Sequence, residues 1–507
     1  MSYSRPGVYI SERLLPAPIA GGVTTSAAGA VVAPFAQGPE AVTEVTSFSD
    51  FAKYFGGYSS AYPATFGVGA FFSNGGRDLY VKRVLAADAV TATVDVLTSG
   101  DDVVVTVTSK SAGDDSNLLR VVVTAGTVAS TYTLALYKES GVVGVITDDI
   151  LLERYENVLF DDEASSDFAE TVVNSVSSYI VLSASGAGVP VYTTYPLTTG
   201  DNGTAPISTD YTAYKGDAVS VFEDFSVLDR PLVVILPAIN TTLASNVPEV
   251  YDAAASWAAA NNSFVVAETP AKITRAGEDT VADGISFAAS LTDSASIAVY
   301  YPHLLVSDPV GRGAGALRKV GPSGAVAGLY LATDASKGVF KAPAGIATPV
   351  LGAVGVEKSF TSAELDSMNS STSPINPIRQ IPGAGLAVMG ARTLLQDGTS
   401  NKYVNMRRSL NYISANLKTL TEFAVFENND ARLWSQIRSS LNIFLDQYRN
   451  QGGLRGQNAS QAFFVLCDAS NNTAQAIANG EVHIQVGVAL QYPAEFIVID
   501  LSQKTIA

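Results

Sequence analysis

Four consecutive segments determine the fold of the middle of this chain. They are residues 231–239 (PLVVILPAI), 247–262 (VPEVYDAAASWAAANN), 264–270 (FVVAETP) and 297–307 (IAVYYPHLLVS). The first, third and fourth are apolar runs of strand length, and the second has the length and composition of a helix. Strands that alternate with helices in this way form α/β units around a mostly parallel sheet. We therefore predict an α/β domain here.

The flanking regions have different patterns. Between residues 90 and 200, β-branched runs bounded by Gly, Ser and Asp predict a mainly β module that is inserted into the chain. Near the C-terminus, helices predicted at 407–424 and 430–450 precede strands at 461–467, 481–490 and 496–502, which indicates an α+β part. Upstream, residues 47–57 (SFSDFAKYFGG) predict a helix with Ser49 or Asp50 at its N-cap and Gly56 at its end.

The expected architecture is thus a multidomain chain that combines α/β and α+β units with extended arms at both ends. In chain order we expect an N-terminal linking arm (1–25), an N-terminal part of the core (26–89), an inserted β-rich outer domain (90–200), an α/β domain (201–355), a C-terminal α+β assembly domain (356–495) and a C-terminal linking strand (496–507).

Composition excludes several classes of function. The formal net charge of −17 disfavours direct nucleic-acid binding, which needs clustered Lys and Arg. Because no stretch approaches the roughly 18 consecutive apolar residues of a membrane-spanning helix, no membrane insertion is expected. Pro6 and Gly7 interrupt the N-terminus where a signal peptide needs an unbroken apolar segment, so a cytoplasmic origin is expected. A single cysteine, Cys467, cannot form an internal disulfide.

The sequence offers no recognisable catalytic or metal site. The chain has only two histidines, His303 and His483, neither of which is near Ser323 in sequence. Ser323 lies in GPSGAVAG, which lacks the G-x-S-x-G spacing of a nucleophile elbow. There is no Gly-Lys dipeptide and hence no Walker loop, and the paired aspartates do not begin a calcium loop. We therefore predict no enzymatic activity, no cofactor and no bound metal.

Several motifs, taken in order, resemble the tail sheath proteins of contractile-tailed phages. The segments that carry the resemblance are RPGVYISE (5–12), GPEAVTEVTSFSDFAKYFGG (38–57), FFSNGGRDLYVKRVL (71–85), YYPHLLVSDP (300–309), GPSGAVAGLYLATDASKGVFKAPAG (321–345), INPIRQIPGAGLAVMGARTL (375–394), YVNMRRSL (403–410), AFFVLCDASNN (462–472) and YPAEFIVIDL (492–501). The chain departs from many relatives at His303 and Met389, where they carry Trp. Both are packing positions, so the fold is not put in doubt.

The resemblance implies a structural subunit. Family members assemble as stacked hexameric rings around a tail tube, contract on a signal from the baseplate, and have a middle domain of subtilisin-like fold. It follows that the expected partners are other copies of this chain, the tail tube protein, and the baseplate and tail terminator proteins. The expected location is the tail sheath of a virion, assembled in the host cytoplasm.

The two ends of the chain are candidate inter-subunit arms. Residues 7–12 (GVYISE) and 495–501 (EFIVIDL) have strand-forming composition and lie at the ends of the chain, so each could complete the sheet of a neighbour. The alternative is that these strands pair within their own subunit. The residues predicted to form the arms are Pro6, Gly7, Val8, Tyr9 and Ile10, and Phe496, Ile497, Val498 and Ile499.

Two arginines are candidates for contact with the tube. Arg438 and Arg449 are eleven residues apart on the predicted helix 430–450, close to three full turns, and so project from nearly the same side. The resemblance implies that a C-terminal helix with charged contacts holds the tube. Alternatively, both arginines only cap or solvate the helix.

Three alternative functions make different demands on the sequence. The sheath of a phage-derived injection system or tailocin belongs to the same class of protein, and the sequence does not distinguish it from a phage tail sheath. A hydrolase on a subtilisin-like fold would need a base near Ser323. A surface-layer protein or adhesin would be expected to carry a secretion signal.

Overall fold

The computed structural model describes residues 26–139, 150–184, 186, 188–213, 219–243, 246–270, 280–311, 315–395, 397 and 399–495. The strands are β1 (Ala28–Ala33), β2 (Thr43–Val45), β3 (Leu79–Arg83), β4 (Thr91–Leu97), β5 (Val103–Ala112), β6 (Leu119–Ala125), β7 (Tyr132–Lys138), β8 (Ile150–Val158), β9 (Ile180–Ala184), β10 (Thr194–Pro196), β11 (Leu232–Ile235), β12 (Phe264–Glu268), β13 (Ile297–Tyr301), β14 (Leu304–Ser307), β15 (Leu317–Val320), β16 (Ala353–Val356), β17 (Ile375–Ile381), β18 (Gly385–Val388), β19 (Phe463–Leu466) and β20 (Gln485–Val488).

The helices are α1 (Phe48–Phe55), α2 (Ala64–Ser73), α3 (Ala169–Val176), α4 (Ser208–Thr212), α5 (Ile239–Thr242), α6 (Val247–Ala260), α7 (Val281–Ser290), α8 (Ser323–Lys337), α9 (Ser362–Ser370), α10 (Val404–Thr421), α11 (Ala431–Asn450), α12 (Ala459–Ala462) and α13 (Ala474–Ala478). Short 3₁₀ helices occupy Asp114–Leu118, Val221–Leu228, Ser400–Lys402 and Glu422–Ala424.

An eight-stranded sheet forms the centre of the molecule, with the strand order β18-β17-β13-β12-β11-β1-β3-β2. Its inner strands are parallel, and only the edge strands β2 and β18 run antiparallel to their neighbours. Helices α6 and α7 pack on one face, whereas α2 and α8 pack on the other. Because both faces are covered, the strands are continuous apolar runs. The predicted α/β architecture is confirmed.

The central sheet draws strands from three parts of the chain. β1 and β3 come from the predicted range 26–89, β11 to β13 from 201–355, and β17 and β18 from 356–495. The predicted domain boundaries therefore stay predictions, and three of the predicted segments (26–89, 201–355 and 356–495) supply strands to one shared sheet.

Residues 91–196 form a separate β unit with its own core. One sheet has the order β10-β6-β7-β8 and another has the order β4-β5-β9, and α3 packs against the second. Buried valines, leucines and aromatics from both sheets form a single apolar cluster. This unit leaves the central sheet after β3 and the chain rejoins the sheet at β11, so it is a mainly β insertion, as predicted.

Arg83, at the end of β3, ties the insertion to the central sheet. Its side chain is completely buried and donates to the carbonyl oxygens of Phe35, at 3.0 Å, and of Ala112, at 2.8 Å. It also donates to the hydroxyl of Ser111 at 2.7 Å. One guanidinium thus satisfies polar groups on both sides of the junction, which fixes how the insertion leaves the core.

The C-terminal part is a pair of long helices beside a small sheet. α10 and α11 cover nearly the ranges predicted for them, and β19 pairs antiparallel with β20. Two apolar clusters join the helices to this sheet. The predicted arms, with Pro6, Gly7, Val8, Tyr9 and Ile10 at one end and Phe496, Ile497, Val498 and Ile499 at the other, lie outside the described residues.

Candidate assembly surfaces

Helix α11 is held in place by its apolar face. At its N-terminus the carboxylate of Asp430 accepts hydrogen bonds from the backbone N–H groups of Arg432 and Leu433, both at 2.9 Å, which caps the helix. The side chains that recur at three- and four-residue intervals are buried against the rest of the C-terminal part; they are Leu433, Ile437, Leu441, Phe444, Leu445 and Tyr448. The opposite face of α11 is exposed and mostly polar, with Ile443 as an apolar exception at 45% exposure.

The two arginines predicted to contact a tube lie beside this face, and both have partners in their own chain. A guanidinium nitrogen of Arg438 lies 3.7 Å from a carboxylate oxygen of Asp468, and the Arg438 side chain is 37% exposed. Arg449 pairs with Asp446 one turn earlier, with Nη2 at 2.8 Å from Oδ1. Each positive charge is therefore partly balanced locally. Arg432, at the start of the helix, is exposed and was not singled out from the sequence.

Asp468 is held as a carboxylate. Its pKa lies below the usual value because Ser470 donates both a hydroxyl and a backbone hydrogen bond to it, and Arg438 adds a favourable charge. The surface around Arg438 is therefore one of mixed charge at neutral pH.

The β19–β20 sheet presents open edges. Its register pairs Phe463 with Val488 and Leu466 with Gln485. Among the described residues, no further named strand pairs with either β19 or β20. Phe464 on β19 is 53% exposed. Unpaired backbone groups along such edges are a template for strand addition.

The chain is firmly anchored where the C-terminal segment departs. Glu495 accepts two hydrogen bonds from Arg392, with Nε–Oε1 and Nη2–Oε2 distances of 2.7 Å. The Tyr403 hydroxyl lies 3.4 Å from the same carboxylate. A bidentate arginine–carboxylate pair fixes direction as well as position. The last described residue, Glu495, is therefore held at a defined point on the subunit.

Ser323 does not have the surroundings of a catalytic nucleophile. It is fully buried at the N-terminus of α8, and its hydroxyl donates to the Glu268 carboxylate at 2.5 Å. Glu268 also accepts the backbone N–H of Ala238 at 2.7 Å. Burial raises the pKa of Glu268, and the hydrogen bonds from Ser323 and Ala238 oppose that rise. The hydroxyl thus serves to satisfy a buried carboxyl group.

His303 also lies in a packed environment. It is 4% exposed, and its Nδ1 lies 3.7 Å from a carboxylate oxygen of Glu357. The cavity that Glu268 and His303 line has a volume of about 40 Å³. Sites for small molecules are usually several hundred Å³. This cavity is much smaller than such a site.

Replacing Ser323 with Ala is expected to leave assembly unchanged while lowering the free energy of unfolding by about 1–3 kcal/mol, because the buried Glu268 carboxyl loses a donor. Denaturant unfolding measures this loss. Ser336→Ala is the matched control, since Ser336 is exposed on the same helix and should be nearly neutral. A hydrolytic activity that disappears in Ser323→Ala would contradict the structural role.

The part of the chain that the structure describes contains neither a cluster of metal ligands nor a membrane-spanning helix. There, no three or more His, Cys, Asp or Glu side chains gather as metal ligands would. Within the same residues no helix combines the length and apolar character needed to cross a membrane.

A buried ion pair that the sequence gave no reason to expect joins the C-terminal helices to the central sheet. Arg408 on α10 pairs with Asp334 on α8, with Nη1 at 3.0 Å from Oδ1. The two side chains are 4% and 11% exposed. The Arg408 guanidinium also lies 4.7 Å from the centre of the Tyr330 ring. Burial raises the pKa of Asp334, and the charge of Arg408 opposes this rise.

Comparison with known proteins agrees with this architecture. Residues 396–504 match the phage tail sheath C-terminal domain family. The tail sheath protein of Vibrio phage KVP40 is 25% identical over 179 residues, which are 35% of this chain and 26% of that protein. The tail sheath protein of Enterobacteria phage T4 is 26% identical over 157 residues, 31% of this chain and 23% of that protein. The matched part thus spans about a quarter of these relatives.

Solved structures resemble the chain over nearly its whole length. The sheath complex of the extracellular contractile injection system PVC, in its contracted state, has a TM-score of 0.56 at 20% identity and covers 99% of both chains. The contracted helical sheath of the anti-feeding prophage has a TM-score of 0.57 at 21% identity, covering 99% of this chain and all of that one. A sheath tail protein from Listeria innocua has a TM-score of 0.62 at 14% identity, covering 93% and 98%.

The chain therefore has the fold of contractile sheath proteins. More particularly, its last hundred or so residues match the C-terminal domain of phage tail sheath proteins, so the resemblance drawn from the sequence motifs is confirmed.

Proposed function

We propose that this chain is the subunit of a contractile sheath, a structural protein and not an enzyme. The observation that carries the proposal is a sheath fold along the full chain together with a sheath C-terminal domain at residues 396–504. The buried Ser323, whose hydroxyl is committed to Glu268, supports a structural role for the α/β part.

In this proposal, copies of the chain stack as hexameric rings around a tail tube, with baseplate and terminator proteins at the two ends. Contraction shortens the stack and drives the tube through the host envelope for genome delivery, so the mature protein is in the virion after assembly in the host cytoplasm. The alternative is the sheath of an injection system or tailocin, which the similarity to the PVC and anti-feeding prophage sheaths keeps open.

Contraction requires that neighbours stay connected while rings move. Arms that contain Tyr9 and Ile10 at one end and Ile497 and Ile499 at the other would supply these connections by adding strands to a neighbour's sheet. The open edges of β19–β20 and the anchored exit at Glu495 support this role. Backbone hydrogen bonds of an added strand hold its two ends together while the connecting chain bends.

Sedimentation of the purified full chain tests the proposal. We expect polymers that pellet above a threshold concentration, because each subunit would carry both an arm and an acceptor for one. A chain that stays monomeric at all concentrations would contradict a sheath function.

The exposed face of α11 is proposed to face the tube, with Arg438 and Arg449 beside it. Exposed ion pairs are worth roughly 0–1 kcal/mol each and weaken with salt, which suits a contact that must release during contraction. Many copies around a ring would still sum to useful adhesion.

The double variant Arg438→Glu with Arg449→Glu is expected to form polymers without a tube but to fail to form extended sheath on the tube. Reversal would place two carboxylates beside Asp468 and Asp446 and repel an acidic partner surface. Co-assembly with the tube protein, followed by microscopy, measures the result. Arg154→Glu, on an exposed strand of the insertion, is the matched control. If the double variant forms normal extended sheath, the two arginines do not contact the tube and only cap or solvate the helix.

The β insertion is proposed to lie at the outer radius of the assembly, since its acidic surface adds solubilising charge. A helical reconstruction should find residues 91–196 farthest from the axis. Density for this unit against the tube would contradict the assignment.

A further inference from the structure

The loop between α10 and α11 presents an apolar tip to solvent. Phe426 is fully exposed, at 104% of its reference area, and the adjacent Val425 is 64% exposed. Phe426 also has a φ of +67°, a left-handed conformation that is unusual for a bulky side chain. Among the described non-glycine residues with positive φ, it is the only one with an aromatic side chain. Local strain of this kind persists when the surrounding structure enforces it, and it concentrates at functional positions.

The loop is braced, so the exposed ring is held outward. The Asn429 side chain donates to the backbone oxygen of Glu481 at 2.8 Å and accepts from the indole N–H of Trp434 at 2.8 Å. Backbone N–H groups of Val425 and Glu427 donate to the carbonyl oxygens of Glu422 and Ala424, closing two successive turns, the second of which contains Phe426. These hydrogen bonds hold the loop that carries the exposed Phe426 ring in one conformation.

A groove lined by aromatic and polar side chains lies at the other end of α10. Its walls include Phe340, Met389, Tyr403 and Tyr492, and it encloses about 450 Å³. Met389 is 40% exposed and Tyr492 is 57% exposed, so apolar surface faces the opening. This volume lies in the range of sites that accept an aromatic group.

The tip cannot fill the groove of its own chain. The groove lies at the N-terminal end of α10 and the tip follows its C-terminal end, and a helix of 18 residues is about 27 Å long. The charges at the two places are complementary. Exposed Glu422 and Glu427 flank the tip. Exposed Lys341 lines the groove and Lys402 lies beside it, while the charge of Glu495, which also lines the groove, is balanced by Arg392.

We propose that Phe426 of one copy docks into this groove of a second copy. A contact between opposite ends of one helix is head-to-tail, and such contacts generate open helical assemblies when rotation does not close a ring. The inference deepens the proposed sheath function by naming a contact between subunits that is independent of the arms. The hydrophobic part of the contact is the ring, and the acidic residues around it select the basic rim.

Two cysteine variants test the contact directly. Phe426→Cys and Met389→Cys are purified separately, mixed in equal amounts and oxidised; the native Cys467 is buried. A disulfide-linked dimer is expected because docking would bring the two positions together. Val227→Cys mixed with Met389→Cys is the control, since Val227 is 82% exposed outside the proposed contact. Absence of the tip-to-groove dimer overturns the proposal whether or not polymers form.

Placing a charge at position 426 gives an independent test of the docking contact. Phe426→Asp is expected to raise the concentration needed for polymerisation by about tenfold or more, as loss of a central interface aromatic does. Folding should be kept, because Asp tolerates the left-handed conformation better than Phe. Val227→Asp is expected to stay close to the unmodified chain. Normal polymerisation of Phe426→Asp contradicts the docking contact alone, whereas an unmodified chain that never polymerises contradicts the proposed function.

Discussion

Deletion of residues 1–15, or of residues 496–507, is expected to leave a folded subunit that no longer polymerises. Both segments have strand-forming composition and are proposed to pair with a neighbour, so the loss should fall on contacts between subunits. Circular dichroism would report folding, and sedimentation would report assembly. Deletion of residues 503–507, beyond the predicted strand, is the matched control and should polymerise.

The outcome also decides how the C-terminal strand pairs. If residues 496–502 pair within their own subunit, deletion of residues 496–507 should lower the unfolding temperature. Tubes of normal length from either truncation would contradict the exchange of arms between neighbours.

Removal of the Arg408 side chain is expected to cause a large loss of stability. Arg408→Ala would leave Asp334 buried without its charge partner, and breaking a buried pair in this way typically costs about 3–5 kcal/mol. Denaturant unfolding of the full chain measures the loss. The matched control is Lys418→Ala, whose exposed partner is Asp229 and whose loss should stay below about 1 kcal/mol.

A double variant separates charge from packing at the same place. Arg408→Leu with Asp334→Leu removes both charges, and it should recover much of the stability that Arg408→Ala loses. If Arg408→Ala unfolds like the unmodified chain, the pair does not hold α10 to α8.

The sequence predicted the central strands well because they are buried on both faces. The run PLVVILPAI contains β11, and FVVAETP contains β12, since a covered parallel strand requires an unbroken apolar segment. Helix α11 was also predicted closely, as its apolar stripe has a clear helical period.

Local capping was predicted less well. Ser49 or Asp50 was expected at the N-cap of α1, but the structure places Ser47 there, with its hydroxyl accepting from the Asp50 backbone N–H. The helix begins earlier because Phe48 can pack at its first position. Gly56 does end the helix, at a φ of +92°.

Contacts between residues far apart in the sequence could not be predicted from local sequence patterns. Arg408 and Asp334 are 74 residues apart, so only the packing of α10 on α8 brings them together. The contact of α8 with α2 at Gly324 is another example. A Cβ at this position would lie 2.0 Å from the carbonyl oxygen of Gly67, so α8 needs glycine here to approach α2. The GPSGAVAG segment alone gives no sign of this close contact between two helices.

The exposed loop tip shows a similar limit. Residues 422–430 (EFAVFENND) predict a break between two helices. The sequence of this segment does not predict that Phe426 is fully exposed in a left-handed conformation. The hydrogen bond from the Asn429 side chain to the backbone oxygen of Glu481, 52 residues away, helps to fix that loop.

Negative-stain electron microscopy of the purified full chain tests the central claim most directly. A contractile sheath subunit has to polymerise around an axis, so we expect hollow tubes with a regular helical repeat, formed without any other protein. Discrete monomers that hydrolyse an ester or peptide substrate would contradict the account.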